Sequence, residues 1–330
     1  MESWDGVFRM GLKTDEVITD TYILREGYIS RNGFVFVKGQ SNPTVYSRLL
    51  IRAPERARCD INVNGYSSRT LREHIDLINE YQIEKVMVIC DDLGFITECP
   101  SVTDIVVYPS LSAGNNFDYS PLYQLPSIHC VDCRTVYGEC DKYKTDIDYS
   151  KIKNLWELAM IGSGHIKYNE VLALKKLWIS GNKQIRDFSE VSNSPTLKSV
   201  TLYLCGIQSL AGIEKHLELE SLVLYSNRSL NNISRLENIK KTLKKLVIES
   251  CPKIMDFSVL NYLTELEHLQ LFGNNVLPNL DFLKQMKRLK TFTFTMEVKN
   301  GDLSNCLNIP YVSCKNYRHY NFKDKDLPKN

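Results

Sequence analysis

The sequence predicts an α/β solenoid, in which short coils stack and each lays one strand into a parallel sheet. Three observations carry the prediction. Apolar residues at positions 1, 4 and 6, followed by Asn or Cys at position 9, recur along the chain with starts 23, 22, 24 and 23 residues apart in the central copies. The ninth position alternates between the two residue types. Between copies, a pair of apolar residues three apart recurs once per period. A fixed period of this length is the signature of a stacked array.

The central copies are Leu174-Leu177-Ile179-Asn182, Leu197-Val200-Leu202-Cys205, Leu219-Leu222-Leu224-Asn227, Leu243-Leu246-Ile248-Cys251 and Leu266-Leu269-Leu271-Asn274. Forward, Leu289-Phe292-Phe294 and Ile309-Val312-Cys314 continue the spacing. Backward, Leu155-Leu158-Met160, Leu125-Ile128-Cys130-Cys133, Val102-Ile105-Val107 and Ile83-Val86-Val88-Asp91 extend it, giving about eleven turns over residues 83–317. The longer step from Leu125 to Leu155 places a loop near residues 137–144.

The spacing dictates the geometry. Positions 4 and 6 alternate as in a strand with one face inward. At position 9 the chain turns inward and its backbone polar groups need partners. An Asn side chain supplies them, and Cys is a small substitute. Asn182, Cys205, Asn227, Cys251 and Asn274 fill that place, so Cys205 and Cys251 need no redox role. Asn227 also opens an Asn-Arg-Ser sequon, which an inward side chain cannot offer to a glycan. The pairs Phe188/Val191, Leu210/Ile213, Ile233/Leu236, Phe257/Leu260 and Leu280/Leu283 suit a short helix or 3₁₀ turn closing each coil.

In this pattern the chain resembles the leucine-rich repeat family over roughly 70% of its length, in the short-repeat class of internalins and a phosphatase-regulatory subunit. The resemblance implies a right-handed superhelix with a parallel sheet on its concave side and short helices or 3₁₀ turns on the convex side. Intracellular members are often adaptors, regulatory subunits or inhibitors. A toxin-neutralising immunity protein is the bacterial version that the resemblance allows, and a toxin-like reading frame beside the coding sequence would distinguish it from an adaptor.

Lys and Arg total 41 against 39 Asp and Glu, a net charge of +2. That balance gives no broad field for nucleic acid or an anionic membrane. The first residues, Met1 to Gly6, include an early acid and no apolar run. The chain therefore reads as cytoplasmic, without a signal peptide or membrane span, and its ten cysteines as reduced thiols.

Residues 1–82 do not fit the repeat and read as a β-rich cap ending in a helix. Residues 28–37 suggest a hairpin turning at Asn32-Gly33. Leu49–Arg52 and Ile61–Val63 suggest further strands. Ser67 or Ser68 would cap a helix running to Gln82, with Leu71, Ile75, Leu77 and Ile78 on its apolar side. The polar tail, residues 318–330, should cover the last turn or fray.

Catalytic and metal chemistry find little footing. Cys130-x₂-Cys133-x₆-Cys140 beside His129 carries one C-x₂-C only, and the repeat register turns Cys130 inward and His129 outward, so no metal or other cofactor is expected. Asp91-Asp92 reads as a solvated turn. No G-x-S-x-G, H-E-x-x-H or P-loop occurs, and no catalytic residue is assigned. A rival reading places an enzyme or small-ligand site in residues 1–82 with the solenoid as a targeting arm, and a sugar-binding groove is a third.

The strand face carries the expected function. Residues between core positions point outward. One outward column runs through Met87, Val106, His129, Ala159, Trp178, Thr201, Val223, Val247, Gln270, Thr293 and Ser313. The next runs through Ile89, Tyr108, Val131, Ile161, Ser180, Tyr203, Tyr225, Glu249, Phe272, Thr295 and Lys315. The rings Tyr108, Trp178, Tyr203, Tyr225 and Phe272 suit a protein partner, because aromatic anchors bury much area at low entropy cost. His129, Glu157, Lys176, Lys245, Glu249 and His268 would set charge and hydrogen bonding around them. Aromatics that merely stabilise the sheet are the alternative.

Overall fold

The computed structural model describes the strands β1 (Ile18–Thr19), β2 (Tyr22–Ile23), β3 (Phe34–Lys38) and β4 (Val45–Ile51), the helix α1 (Leu71–Glu80), and residues 82, 84–90, 92–109, 117–133, 147–162 and 167–330. The chain divides into two compact units, residues 1–155 with 164–166, and residues 156–163 with 167–330.

In the first unit β1 and β2 pair antiparallel. β3 pairs antiparallel with β4, Phe34 opposite Leu49 through Lys38 opposite Val45. β4 then runs parallel to β5 (Lys85–Cys90), β5 to β6 (Asp104–Pro109) and β6 to β7 (Cys130–Cys133). Of the expected hairpin, residues 34–37 fall among the described residues and lie in β3, which pairs with β4, a seven-residue strand whose other edge is joined to the sheet. Residues 28–33 and 61–63 lie outside the described residues, as does the expected cap at Ser67 or Ser68. α1 buries Ile75 and Ile78 and leaves Arg72 exposed in ion pairs with Asp76 (2.9 Å) and Glu98 (2.7 Å).

β7 corrects the register expected there. Ile105 and Val107 stand opposite Val131 and Cys133, not opposite Ile128 and Cys130. Cys133 is therefore the inward residue, Val131 leaves the outward column, and His129 precedes the strand. The cause is an extra core position three residues before the repeat. Leu125-x-x-Ile128-x-x-Val131 follows the same course as Val171-x-x-Leu174-x-x-Leu177, and all six residues are buried. Either set of three satisfies the spacing.

In the second unit β8 (Glu157–Ile161), β9 (Lys176–Ser180), β10 (Ser199–Tyr203), β11 (Ser221–Tyr225), β12 (Lys245–Glu249) and β13 (His268–Phe272) pair parallel and in register. The short strand β14 (Val276–Leu277) leaves this sheet and pairs with β16 (Glu297–Val298). The main sheet continues through β15 (Thr291–Phe294) to β17 (Tyr311–Cys314). Positions 1, 4 and 6 of the copies in this unit are buried, as are the apolar pairs between copies, except that Cys314 at the sheet edge is only half-buried. 3₁₀ turns close the coils at Phe188–Glu190, Ile213–Lys215, Ser234–Ile239, Ser258–Tyr262 and Asp281–Gln285. Each such side chain, fully buried, contributes roughly 1.5–3 kcal/mol of hydrophobic stabilisation to its coil.

Each strand of the central run ends in a left-handed residue: Gly181, Leu204, Ser226 and Ser250, with φ of 75°, 56°, 53° and 54°. Their N–H groups donate to the carbonyls of Tyr203, Tyr225, Glu249 and Phe272 at 2.8–2.9 Å, adding one rung to the ladder before the chain turns inward. Asn227 then donates to Leu202 O (2.9 Å) and accepts from Cys205 N (2.9 Å). Cys205 and Cys251 make weak thiol contacts to the carbonyls of Ile179 (3.6 Å) and Leu224 (3.7 Å).

The last of these turns differs from its expected form. Gly273 adopts φ 144°, and its N–H donates to Thr295 Oγ1 (3.0 Å). The inward side chain is Asn275, which donates to Cys251 O (3.2 Å) and Ile254 O (2.8 Å), while Asn274 is exposed. β15 is one residue shorter than β13, so its ladder offers no carbonyl to the residue after Phe272. A Gly at that point lengthens the turn by one residue.

The tail is ordered and closes the second unit. Tyr320 is buried, donating to Met296 O (3.4 Å) and accepting from Val298 N (2.7 Å). Val312 N donates to Pro328 O (2.9 Å), and Tyr311 bridges to Lys329 across the edge of β17. Lys323 Nζ donates to the carbonyls of Tyr317 (2.8 Å) and Tyr320 (2.8 Å).

Candidate functional site

The outward face of β8–β13 is built from three residues per strand. The third strand residues are Ala159, Trp178, Thr201, Val223, Val247 and Gln270, side by side in register. The fifth are Ile161, Ser180, Tyr203, Tyr225, Glu249 and Phe272. Val223 and Val247 are buried although they point outward, because the longer side chains beside them close over them. They form an apolar floor.

The rings expected on this face are half-buried, not freely exposed. Tyr203 and Tyr225 meet edge to face, with centroids 6.4 Å apart and planes at 79°. That arrangement matches the ring quadrupole preference. Burial raises the Tyr225 phenol above its ordinary pKa, and the nearby Glu249 charge pushes the same way. Phe272 lies two strands from Tyr225, with Glu249 between them. Trp178 sits one column away, in register with Ala159 and Thr201.

Charges frame this surface. Lys176 pairs with Glu157 (2.9 Å), Lys244 with Glu220 (3.1 Å) and Lys290 with Glu267 (2.5 Å). His268 Nδ1 lies 2.7 Å from Thr291 Oγ1, which fixes its ring on the next strand. Lys198 and Lys245 are exposed and make no ion pair among the described residues. Position 2 of the repeat is charged in successive copies, at Lys175, Lys198, Glu220, Lys244, Glu267 and Lys290. This charged edge was legible in the spacing, yet attention to the strand columns passes over it.

The structure thus gathers Trp178, Tyr203, Tyr225, Glu249, His268 and Phe272 on one sheet face of the second unit. Tyr108 and His129 belong to the first unit. Tyr108 stands on β6 opposite Ile89. His129 is not a column residue: its Nδ1 lies 3.0 Å from Thr103 O and 3.8 Å from Asp104 Oδ1, at the entrance to β7. Asp132, not His129, is the β7 residue opposite Val106, and it is fully buried.

The thiols behave as core. Burial raises Cys133 to about 12, and Cys205 and Cys251 to about 11 each. Such thiols stay protonated and make poor nucleophiles or metal ligands at neutral pH. Cys140 lies outside the described residues. Asp92 is exposed and its Oδ1 accepts from Gly94 N (2.5 Å), a local turn. Among the described residues, no helix is long and apolar enough to cross a membrane.

Neither a family model nor a curated protein matches the sequence. Among solved structures the chain is similar to an internalin, InlF, from Listeria monocytogenes, at 17% identity and a TM-score of 0.50 over 72% of this chain and 69% of that one. It is similar also to the functional domain of InlJ from the same bacterium, which includes a cysteine ladder, at 18% identity and a TM-score of 0.50. That match covers 78% of this chain and 54% of InlJ's, so the chain spans about half of that structure. Together with the stacked parallel strands and 3₁₀ turns, these likenesses make the chain a leucine-rich repeat protein in fold. Its repeat belongs to the short class, near 23 residues.

Proposed function

We propose that the outward strand face of the second unit captures another protein without a catalytic step, and that the chain works in the cytoplasm as an inhibitor of the toxin-immunity kind. One observation carries the proposal. Three adjacent strands present Trp178, Tyr203 and Tyr225, with Val223 buried beside them on the third strand, their backbones held by the ladder. Large rings in fixed positions lose little entropy on binding, which is what favours them as anchors. The inhibitor role rests on the resemblance in repeat pattern, and the cytoplasmic setting is supported by the described cysteines, which stand as free thiols.

The test begins with a pull-down from native lysate and identification of the retained protein by mass spectrometry. Trp178→Ala and Tyr225→Ala are then compared with the native chain by titration calorimetry. Each is expected to weaken capture by ~2 kcal/mol or more while leaving the circular dichroism spectrum unchanged. Equal affinity in both variants removes this interface. A partner with no toxic activity when expressed alone removes the immunity role and leaves the face intact.

A further inference from the structure

We propose that Glu249, set between Tyr225 and Phe272, seats an arginine side chain of the bound protein. The proposal rests on the reading of this face as a protein-binding surface. It starts from an imbalance among the carboxylates. Glu157, Glu220 and Glu267 each hold a lysine of the same sheet region, at 2.9, 3.1 and 2.5 Å. Glu249 has no ion pair among the described residues, although Lys245 stands on the same strand.

Strand geometry explains why Lys245 does not serve. Four strand steps separate the two, roughly 13 Å of backbone, and both point outward. The lysines of the face gather at the strand starts: Lys175, Lys176, Lys198, Lys244 and Lys245. Glu249 lies at the strand ends, in the same row as Tyr203, Tyr225 and Phe272. At the strand starts carboxylates stand among these lysines and pair with them, whereas in the row of Tyr203, Tyr225 and Phe272 the charged residue is Glu249, with no lysine beside it in the row.

The surroundings of Glu249 select the cation. Tyr225 and Phe272 stand on the strands to either side, so their backbones are roughly 10 Å apart with the carboxylate between them. The row is fixed, because the carbonyls of Tyr225, Glu249 and Phe272 accept hydrogen bonds from the N–H groups of Leu204, Ser226 and Ser250, the turn residues that follow β10, β11 and β12. A guanidinium is flat, stacks on aromatic faces and donates two parallel hydrogen bonds to a carboxylate. An ammonium can do the last only as a point charge and is more strongly hydrated. Half-burial of the three side chains keeps the attraction from being lost to solvent.

The experiment selects random phage-displayed peptides on the full chain, then measures synthetic binders by fluorescence anisotropy. Binders that depend on Tyr225 are expected to carry arginine. Replacing that arginine by citrulline, which keeps the shape and removes the charge, should weaken binding roughly tenfold or more. Glu249→Gln should cost about the same, and combining the two changes should cost little more than either alone. Tyr225-dependent binders that tolerate both citrulline and Glu249→Gln overturn the arginine seat while leaving the binding face standing. Binders that depend on neither Tyr225 nor Trp178 overturn both.

Discussion

Where each coil turns inward, one side chain satisfies backbone that water cannot reach. Asn275 does so after β13, and its neighbour Asn274 faces solvent. Asn275→Ala should lower the unfolding free energy by about 1–3 kcal/mol, whereas Asn274→Ala should change it by less than about 0.5 kcal/mol, as read from urea melts. The sequence contained both asparagines, but spacing alone pointed to the first. What shifts the role is the conformation of Gly273, and a glycine does not announce which left-hand region it will occupy. A second residue-scale device is His216. Its ring is fully buried against Phe188 (5.4 Å), with Nδ1 3.0 Å from Ser194 O and Nε2 without a partner. Burial lowers its pKa, while Lys215 and Glu214 act in opposite directions. The folded form therefore resists a proton that the unfolded chain accepts near pH 6.5. The stability contribution is complete above that pH and is lost as pH falls from there toward the folded pKa. The urea midpoint of the native chain should drop between pH 7 and 5, and His216→Gln should flatten that slope. The shifted carboxylates Asp256, Glu267, Asp302 and Asp324 are all lowered, so they titrate below this window.

At the scale of the strand and its turn, the left-handed column sets how each coil is closed. Leu204, Ser226 and Ser250 hold a backbone conformation that costs an L-residue roughly 1 kcal/mol. Ser250 is exposed, so Ser250→Gly relieves that strain without emptying the core, and should raise the thermal midpoint by the equivalent of about 0.5–1 kcal/mol. Gly212→Ala should do the reverse. Its φ is 96°, and an added Cβ would lie 2.5 Å from Ser189 N in the preceding coil. That variant should lose about 2 kcal/mol or more in the same melt. The 3₁₀ turns and the strand positions in the second unit were legible because each copy repeats both apolar signals. β7 was not, because Leu125, Ile128, Val131 and Cys133 satisfy the spacing in two overlapping ways, and only pairing with β6 chooses between them. The misplaced register carried His129 into the outward column and Cys130 into the core position.

Over the whole molecule, a period near 23 residues explains why weak individual signals assemble into one fold: each coil is stable only against its neighbours. The site followed from the same period. Given the strands, alternation alone places Trp178, Tyr203, Tyr225, Glu249 and Phe272 on one face. What the sequence withheld was how far neighbouring side chains bury these rings, since burial depends on contacts between coils. It also withheld the partner of β3, which lies in a longer-range pairing than a tight turn would give. The shared fold with two internalins fixes the architecture and leaves the partner to experiment. Oxidative footprinting by hydroxyl radicals, with and without the captured protein, tests the binding face most directly. Trp178, Tyr203, Tyr225 and Phe272 should be shielded in the complex, while Met255, 85% exposed outside the strands, should oxidise at its unbound rate. Shielding of Met255, with the four rings oxidised as before, would place the partner elsewhere and contradict the account.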